Sequence, residues 1–457
     1  MELTVIGGGL AGSEAAWQAA ESGINVKLFE MRPMVSTGAH TTGNLGELVC
    51  SNSLGSNLID RASGLLKEEL RKMGSLLISC ADASSLPAGG ALAVDREVFS
   101  ACIQKNIENH PRITIIRQEM TSIPETPAII ATGPLTSHQF SSALQEFTGE
   151  KNLFFFDAIA PIINIESINM DVVFRANRYK QEDLEQGDYL NCPLNEEEYN
   201  TFREALISAQ RIPLKSFEDG ISGGVDAGKG RFFQGCQPIE IIAEHGEKSL
   251  AFGPMRPVGL TDPRTGRWPF AVVQLRQDNL AGDLYNLVGF QTNLLYPEQE
   301  RVLRMIPGLE NATFERFGQM HRNTYIDSPM LIAPNLSFKK SPRLFIAGQI
   351  SGIEGYAGNI ASGLVAGINA VRYLHQLPPM VLPASTMTGA LIHYITHAES
   401  QGFQPMKAMF GLLPKLDSDP RLSKRVRYQK YAQRALEDLD QYLGVYQQRN
   451  NEVFPPR

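Results

Sequence analysis

Two stretches of this chain, GELVCSNSLG at residues 46–55 and RFFQGCQPIE at residues 231–240, each hold one thiol among turn-forming or polar neighbours. A thiol of ordinary acidity is only about 3% thiolate at pH 7, so nucleophilic or proton-transfer work requires an electropositive setting. Cys50 has no apolar residues immediately after it, and Cys236 follows a glycine and precedes Gln-Pro, with Arg231 five positions earlier. Both read as loop thiols open to chemistry, whereas Cys80, Cys102 and Cys192 read as ordinary core residues. With five cysteines, the closest pair 22 positions apart, there is neither a CxxC pair nor a disulfide framework, which points to reduced thiols in a reducing compartment. A flavin-linked dithiol reductase is thereby excluded. Two well-separated thiols suit two distinct tasks: attack on an electrophilic carbon, and handling of a proton.

The elements that would position these thiols begin at the N-terminus. LTVIGGG, LAGSEAAWQAAESG and INVKLFE read as strand, glycine turn and helix, then a second strand ending on Glu30. Gly7, Gly9 and Gly12 have the GxGxxG spacing, and Glu30 stands 18 residues past Gly12. Such a turn lets a pyrophosphate reach the amides of Gly7, Gly8, Gly9, Leu10, Ala11 and Gly12 at a helix N-terminus, with the acid accepting from ribose hydroxyls. Further on, LFIAGQ followed by GYAGNIASGLVAGI makes a second strand-to-helix crossing rich in small residues, with the helix start expected near Asn359 or Ile360. Together with the strand of IIATGP (129–134), this arrangement favours an extended flavin, FAD, lying across the sheet near Gly348 and Gln349.

The remaining elements set the frame. SGLLKEELRKMG and DREVFSACIQKNIE have helical spacing, ITIIRQ and AIIATG are short apolar runs, and the alternation argues for a mainly parallel sheet. Between residues 157 and 327 the texture changes to broken strand-like pieces such as DVVFRANRY and FAVVQLRQ. The expected architecture is α/β, a Rossmann-like two-dinucleotide fold in two parts (1–156 and 328–457) around an inserted α+β substrate domain (157–327). No apolar run approaches the roughly 18 residues of a membrane span and no leader pattern is evident, so a cytoplasmic protein is expected. His393 and His397 are four apart, but no HExxH glutamate completes a metal site, and there is no GxSxG elbow or P-loop. The net charge of −7 repels nucleic acid on average, yet Lys415 to Arg434 carries seven basic residues against two acids. This segment is either a solvated helix face or a polyanion contact.

Over nearly its whole length the chain resembles the folate- and FAD-dependent tRNA (uracil-5-)-methyltransferases, the TrmFO family. The residues carrying the resemblance are VIGGGLAGSEAAWQAA, LFEMRP, GELVCSNSLGSN, DYLNCPLNEEEY, GCQPIE, FGPMRPVGL, AVVQLRQDN, GFQTNL and AGQISGIEGYAGNIASG. Gln349 departs from the wider flavoprotein pattern, in which an aspartate often meets the ribityl chain. The resemblance implies FAD reduced by NAD(P)H, 5,10-methylenetetrahydrofolate as carbon source, and the T-arm of tRNA as substrate, without an obligate protein partner. It also implies that Cys50 and Cys236 are the functional pair. Cys236 is expected to add to uracil C6, Cys50 to act as the flavin-side acid or base, and Tyr356 to lie against a flavin or folate ring. Arg256 and Arg276 are expected to meet phosphate or the folate glutamate. GidA-like modification of a wobble uridine, uridine methylation of ribosomal RNA, and a non-catalytic flavin- or RNA-binding role are the alternatives.

Overall fold

The structure is a computed structural model, and it describes residues 1–37, 39–150, 153–178, 187–212, 237–318, 320–416 and 422–450. The apolar runs of the first unit assemble into one six-stranded sheet. In spatial order it contains Ser337–Phe338, Ser341–Ile346, Ala128–Ile130, Glu2–Ile6, Asn25–Phe29 and Ile113–Ile116. Every neighbouring pair is parallel except the hairpin at the Ser337–Phe338 edge. Its central strand keeps Leu3 and Val5 fully buried, as expected of a strand covered on both faces. Chain order reverses on the two sides of Glu2–Ile6, so a ligand crevice opens at the carboxyl ends of this strand and Ala128–Ile130.

Two helices cross the sheet beside that crevice. Leu10–Glu21 follows the glycine turn directly, and Tyr356–Leu374 starts three residues before the Asn359 expected from sequence. The early start comes from Gly355, whose φ of 89° makes an abrupt entry into the helix that a side chain would resist. The two helices press together through small residues. A Cβ on Gly363 would stand 2.2 Å from the Ala11 carbonyl oxygen, and one on Gly367 2.7 Å from that of Ala15.

A second six-stranded sheet, wholly antiparallel, contains Phe174–Arg175, Tyr189–Leu194, Ala271–Gln277, Leu284–Leu287, Ile162–Asn164 and Phe314–Arg316. Helix Glu196–Ser208, closed by a reciprocal Asn195–Glu198 capping box, adds Tyr199, Phe202 and Leu206 to its core. Among the described residues of the expected strand DVVFRANRY, Phe174–Arg175 are in a strand, and Asp171 and Val172 lie in a turn. A small sheet of Ser53–Ser56, Ala91–Val94 and Ser85–Leu86 borders the Cys50 loop. Helix Lys424–Asn450 lies against helix Ala62–Lys72, joined by Lys72 to Asp440 at 2.9 Å. Among the described residues, no helix is long and apolar enough to cross a membrane.

Candidate functional site

The glycine turn behaves as its spacing predicts. Gly7 has φ 101°, and a Cβ on Gly12 would sit 1.7 Å from the Gly7 carbonyl oxygen, so the helix reaches the strand only without side chains. A Cβ on Gly9 would meet nothing within 4 Å. That open side faces a cavity lined by Gly7, Gly9, Leu10, Ala11, Glu30, Thr132, Gly348, Gln349 and Tyr356. Gly8 and Gly12 stand behind this lining, Gly8 donating its amide to the Glu30 carboxylate at 2.9 Å.

Glu30 is more heavily engaged than its sequence position suggested. Besides Gly8 it accepts from the Arg32 amide and Nε, both at 2.9 Å. Arg32 in turn reaches Glu47 at 3.0 Å. Burial works against the Glu30 charge, but the Arg32 guanidinium and the two amides outweigh it and hold the carboxyl below the usual range. Glu30 therefore pins the glycine turn to the end of the second strand while one edge of it faces the cavity. Arg32 was missed as a site residue by the glycine fingerprint, although it stands within LFEMRP.

At the far end, Asn359 lies in the first turn of helix Tyr356–Leu374. Its Oδ1 is buried without a hydrogen-bond partner among the described residues. An orphaned acceptor and helix amides beside an open groove fit a flavin ring and its polar edge. Gln349 donates to Glu354 at 2.8 Å. The Tyr356 hydroxyl accepts the Cys50 amide at 2.8 Å across 306 positions of sequence.

Cys50 opens on a second cavity, shared at its border with the first through Val49, Gln349, Tyr356 and Asn359 and continued by Asn323, Glu354 and Lys407. Arg96 donates to the carbonyls of Leu48 at 2.8 Å and Cys50 at 2.9 Å. Arg316 donates to that of Val49 at 3.0 Å. Cys236 lies outside the described residues. Cys80 and Cys192 are buried and their thiols are pushed well up by burial, in line with core roles. Arg276 corrects an expectation: it is buried, with Nε on Asn52 Oδ1 at 2.9 Å, and so braces the structure instead of facing a phosphate or folate glutamate. His393 and His397 stack at 4.1 Å, and the described residues contain no metal-holding cluster.

Residues 2–378 match the family described as glucose inhibited division protein A. The methylenetetrahydrofolate-tRNA-(uracil-5-)-methyltransferase TrmFO of Heliobacterium modesticaldum is 54% identical over 445 residues, covering 97% of this chain and 98% of that protein. This chain belongs to the TrmFO family. The TrmFO of Pelotomaculum thermopropionicum is likewise 54% identical, over 96% of this chain and 98% of its own length. Aquifex aeolicus GidA shares the fold, with a TM-score of 0.68 at 17% identity over 96% of this chain and 73% of that one. High identity at matched length places the chain with the TrmFO proteins, within the wider family whose model matches residues 2–378; the likeness to the Aquifex aeolicus structure is one of fold.

Proposed function

We propose that this TrmFO-family chain methylates C5 of a uridine in the T-arm of tRNA, at position 54, taking its carbon from 5,10-methylenetetrahydrofolate with FAD as bound cofactor. The observation that carries this reading is the meeting of two cavities at Tyr356, one framed by the glycine turn and the other by Cys50. When bound, FAD supplies the redox and one-carbon chemistry, and NAD(P)H supplies the reducing equivalents. Gly7, Gly9, Leu10, Ala11 and Glu30 hold the nucleotide end, with Gly8 and Gly12 shaping the turn behind them, and Gly348, Gln349, Tyr356 and Asn359 hold the ring end.

The pyrimidine chemistry falls to the thiols. Uracil C5 becomes nucleophilic once a group adds at C6, and we assign that addition to the Cys236 thiolate. Cys50 moves a proton on the flavin side, its loop fixed by Tyr356 and the two arginines. Residues 157–327 form the substrate lobe. The basic face beginning at Lys424 contacts the RNA backbone, and the protein works in the cytoplasm.

Purification should give a yellow protein that transfers label from methylenetetrahydrofolate to C5 of uridine in T-arm RNA. Cys236→Ala should keep its flavin spectrum and lose methylation by at least about 100-fold, the scale expected when a covalent step is removed. Normal turnover by that variant would overturn the assignment. Label in ribosomal RNA or at a wobble uridine instead would redirect the substrate.

A further inference from the structure

The peptide around Cys50 is held from both sides. On one side its amide meets Tyr356; on the other, three consecutive carbonyls, Leu48, Val49 and Cys50, all accept from guanidinium groups. The donors come from distant parts of the chain. Arg96 opens helix Arg96–Asn109, whereas Arg316 ends the last strand of the second sheet. A third guanidinium, Arg276, reaches the same loop through Asn52.

Among the described residues, few acids stand close to them. Asp278 pairs with Arg96 at 3.1 Å and also accepts from Asn286 at 2.9 Å. The neighbouring Asp95 carboxylate is taken up by the amides of Glu97, Val98 and Leu280. Among the described residues, Asp278 thus pairs directly with Arg96, while Arg276 and Arg316 are held by neutral acceptors, Asn52 and Asn286 for the one and the Ala39 and Val49 carbonyls for the other. Burial pushes Arg276 and Arg316 down, opposed chiefly by Tyr189 and Asp278 at Arg276 and by Tyr356 at Arg316. Carbonyl dipoles alone make a poor counterpart for buried cations. Tyr356, also in electrostatic range of Arg96 and Arg316, is a far weaker acid than a thiol. The other charged residues lining the cavity are Glu354, which accepts from Gln349 at 2.8 Å, and Lys407. Cys50 is the thiol of the loop that these guanidinium groups hold.

We propose that Arg96 and Arg316 are positioning residues for Cys50, fixing its peptide through the carbonyls and supplying the positive field that favours its thiolate. The proposal rests on the reading of Cys50 as a functional thiol. One arginine comes from each sheet's unit, so the reactive state of Cys50 requires the second sheet to be seated against the first.

The test uses the FAD-loaded full-length protein. Iodoacetamide labelling of the Cys50 peptide is followed by mass spectrometry from pH 6 to 10, as chosen assay limits, alongside tRNA methylation. Arg316→Gln keeps a donor for Val49 but loses the charge, whereas Arg316→Lys keeps the charge. At pH 7 the Gln variant should label Cys50 about fivefold more slowly than wild type and converge with it in alkali. The Lys variant should stay near wild type, with flavin content unchanged in both. In the Gln variant kcat should fall while KM for tRNA holds. Superimposable labelling profiles for wild type and Arg316→Gln, or equal slowing in Gln and Lys, would overturn the proposal. Full methylation by Cys50→Ala would instead defeat the functional reading of Cys50 and leave the labelling result standing, so the two failures are separable.

Discussion

At the scale of single residues, the cofactor turn is limited by space more than by attraction. Gly12 illustrates this, because a methyl group there would stand 1.7 Å from the Gly7 carbonyl oxygen, well inside contact distance. Gly12→Ala should force helix and strand apart, at a cost of about 1–3 kcal/mol or more, and lower the flavin-to-protein absorbance ratio of the purified enzyme. An unchanged ratio and melting temperature would show that the helix has room to move. Both this glycine and Cys50 were legible in the sequence, since each is identified by its immediate neighbours. Arg96, Arg316 and Asp278 were not: Arg96 meets Asp278 across 182 positions, and Arg316 meets Val49 across 267. No local pattern marks a guanidinium that will turn inward. Arg276 carries the same lesson in reverse, for a charged residue in a recognisable motif proved to be internal bracing.

At the scale of elements, the helices were legible where a cap or a period announced them. Asp95 caps Arg96–Asn109 by accepting from Glu97 and Val98, as its place before the apolar period predicts. Helix Met387–His397 is capped partly from outside. Glu69, on helix Ala62–Lys72, accepts the amides of Met387 at 2.6 Å and Thr388 at 2.8 Å from 318 and 319 positions away. Complete burial pushes the Glu69 carboxyl up to about 7 despite those donors. A folded-state value raised above the unfolded one contributes stability below the unfolded value, and that contribution is lost as pH rises through about 7. The melting temperature should therefore acquire a declining component between about pH 4.5 and pH 7 from this group, worth a few kcal/mol at full extent. Glu69→Gln keeps an acceptor without an ionisable proton and should flatten that component. A decline of equal slope in the variant, followed by calorimetry across this range, would assign it to other groups.

At the scale of the whole molecule, the segment that borders the Cys50 cavity also packs on the basic helix. Lys407 lines the Cys50 cavity, and three residues later Phe410 packs on Tyr428 at 4.5 Å and Tyr431 at 5.9 Å. From Lys424 to Arg434 the helix carries five cations and no acid, in a chain whose net charge is −7. Lys424, Arg425, Arg427 and Lys430 are exposed. Cations at the N-terminal end of a helix oppose its dipole, and like charges three or four positions apart repel by a few tenths of a kcal/mol per pair. Arg425 has Asp60 at 3.5 Å as a partial counterweight. The remaining repulsion would be relieved by a polyanion laid across the face, and the tRNA of the proposed reaction is one. Replacing Arg427 and Lys430 together by Gln should weaken tRNA binding at low salt. It should also reduce the slope of log affinity against log salt by about 2, one for each phosphate contact removed. Because Tyr428 and Tyr431 still hold the helix on Phe410, flavin content should be unaffected and the melting temperature should hold or rise slightly as the repulsion is removed. An unaltered salt slope, measured by filter binding over a salt titration, would place the RNA on a different face of the molecule.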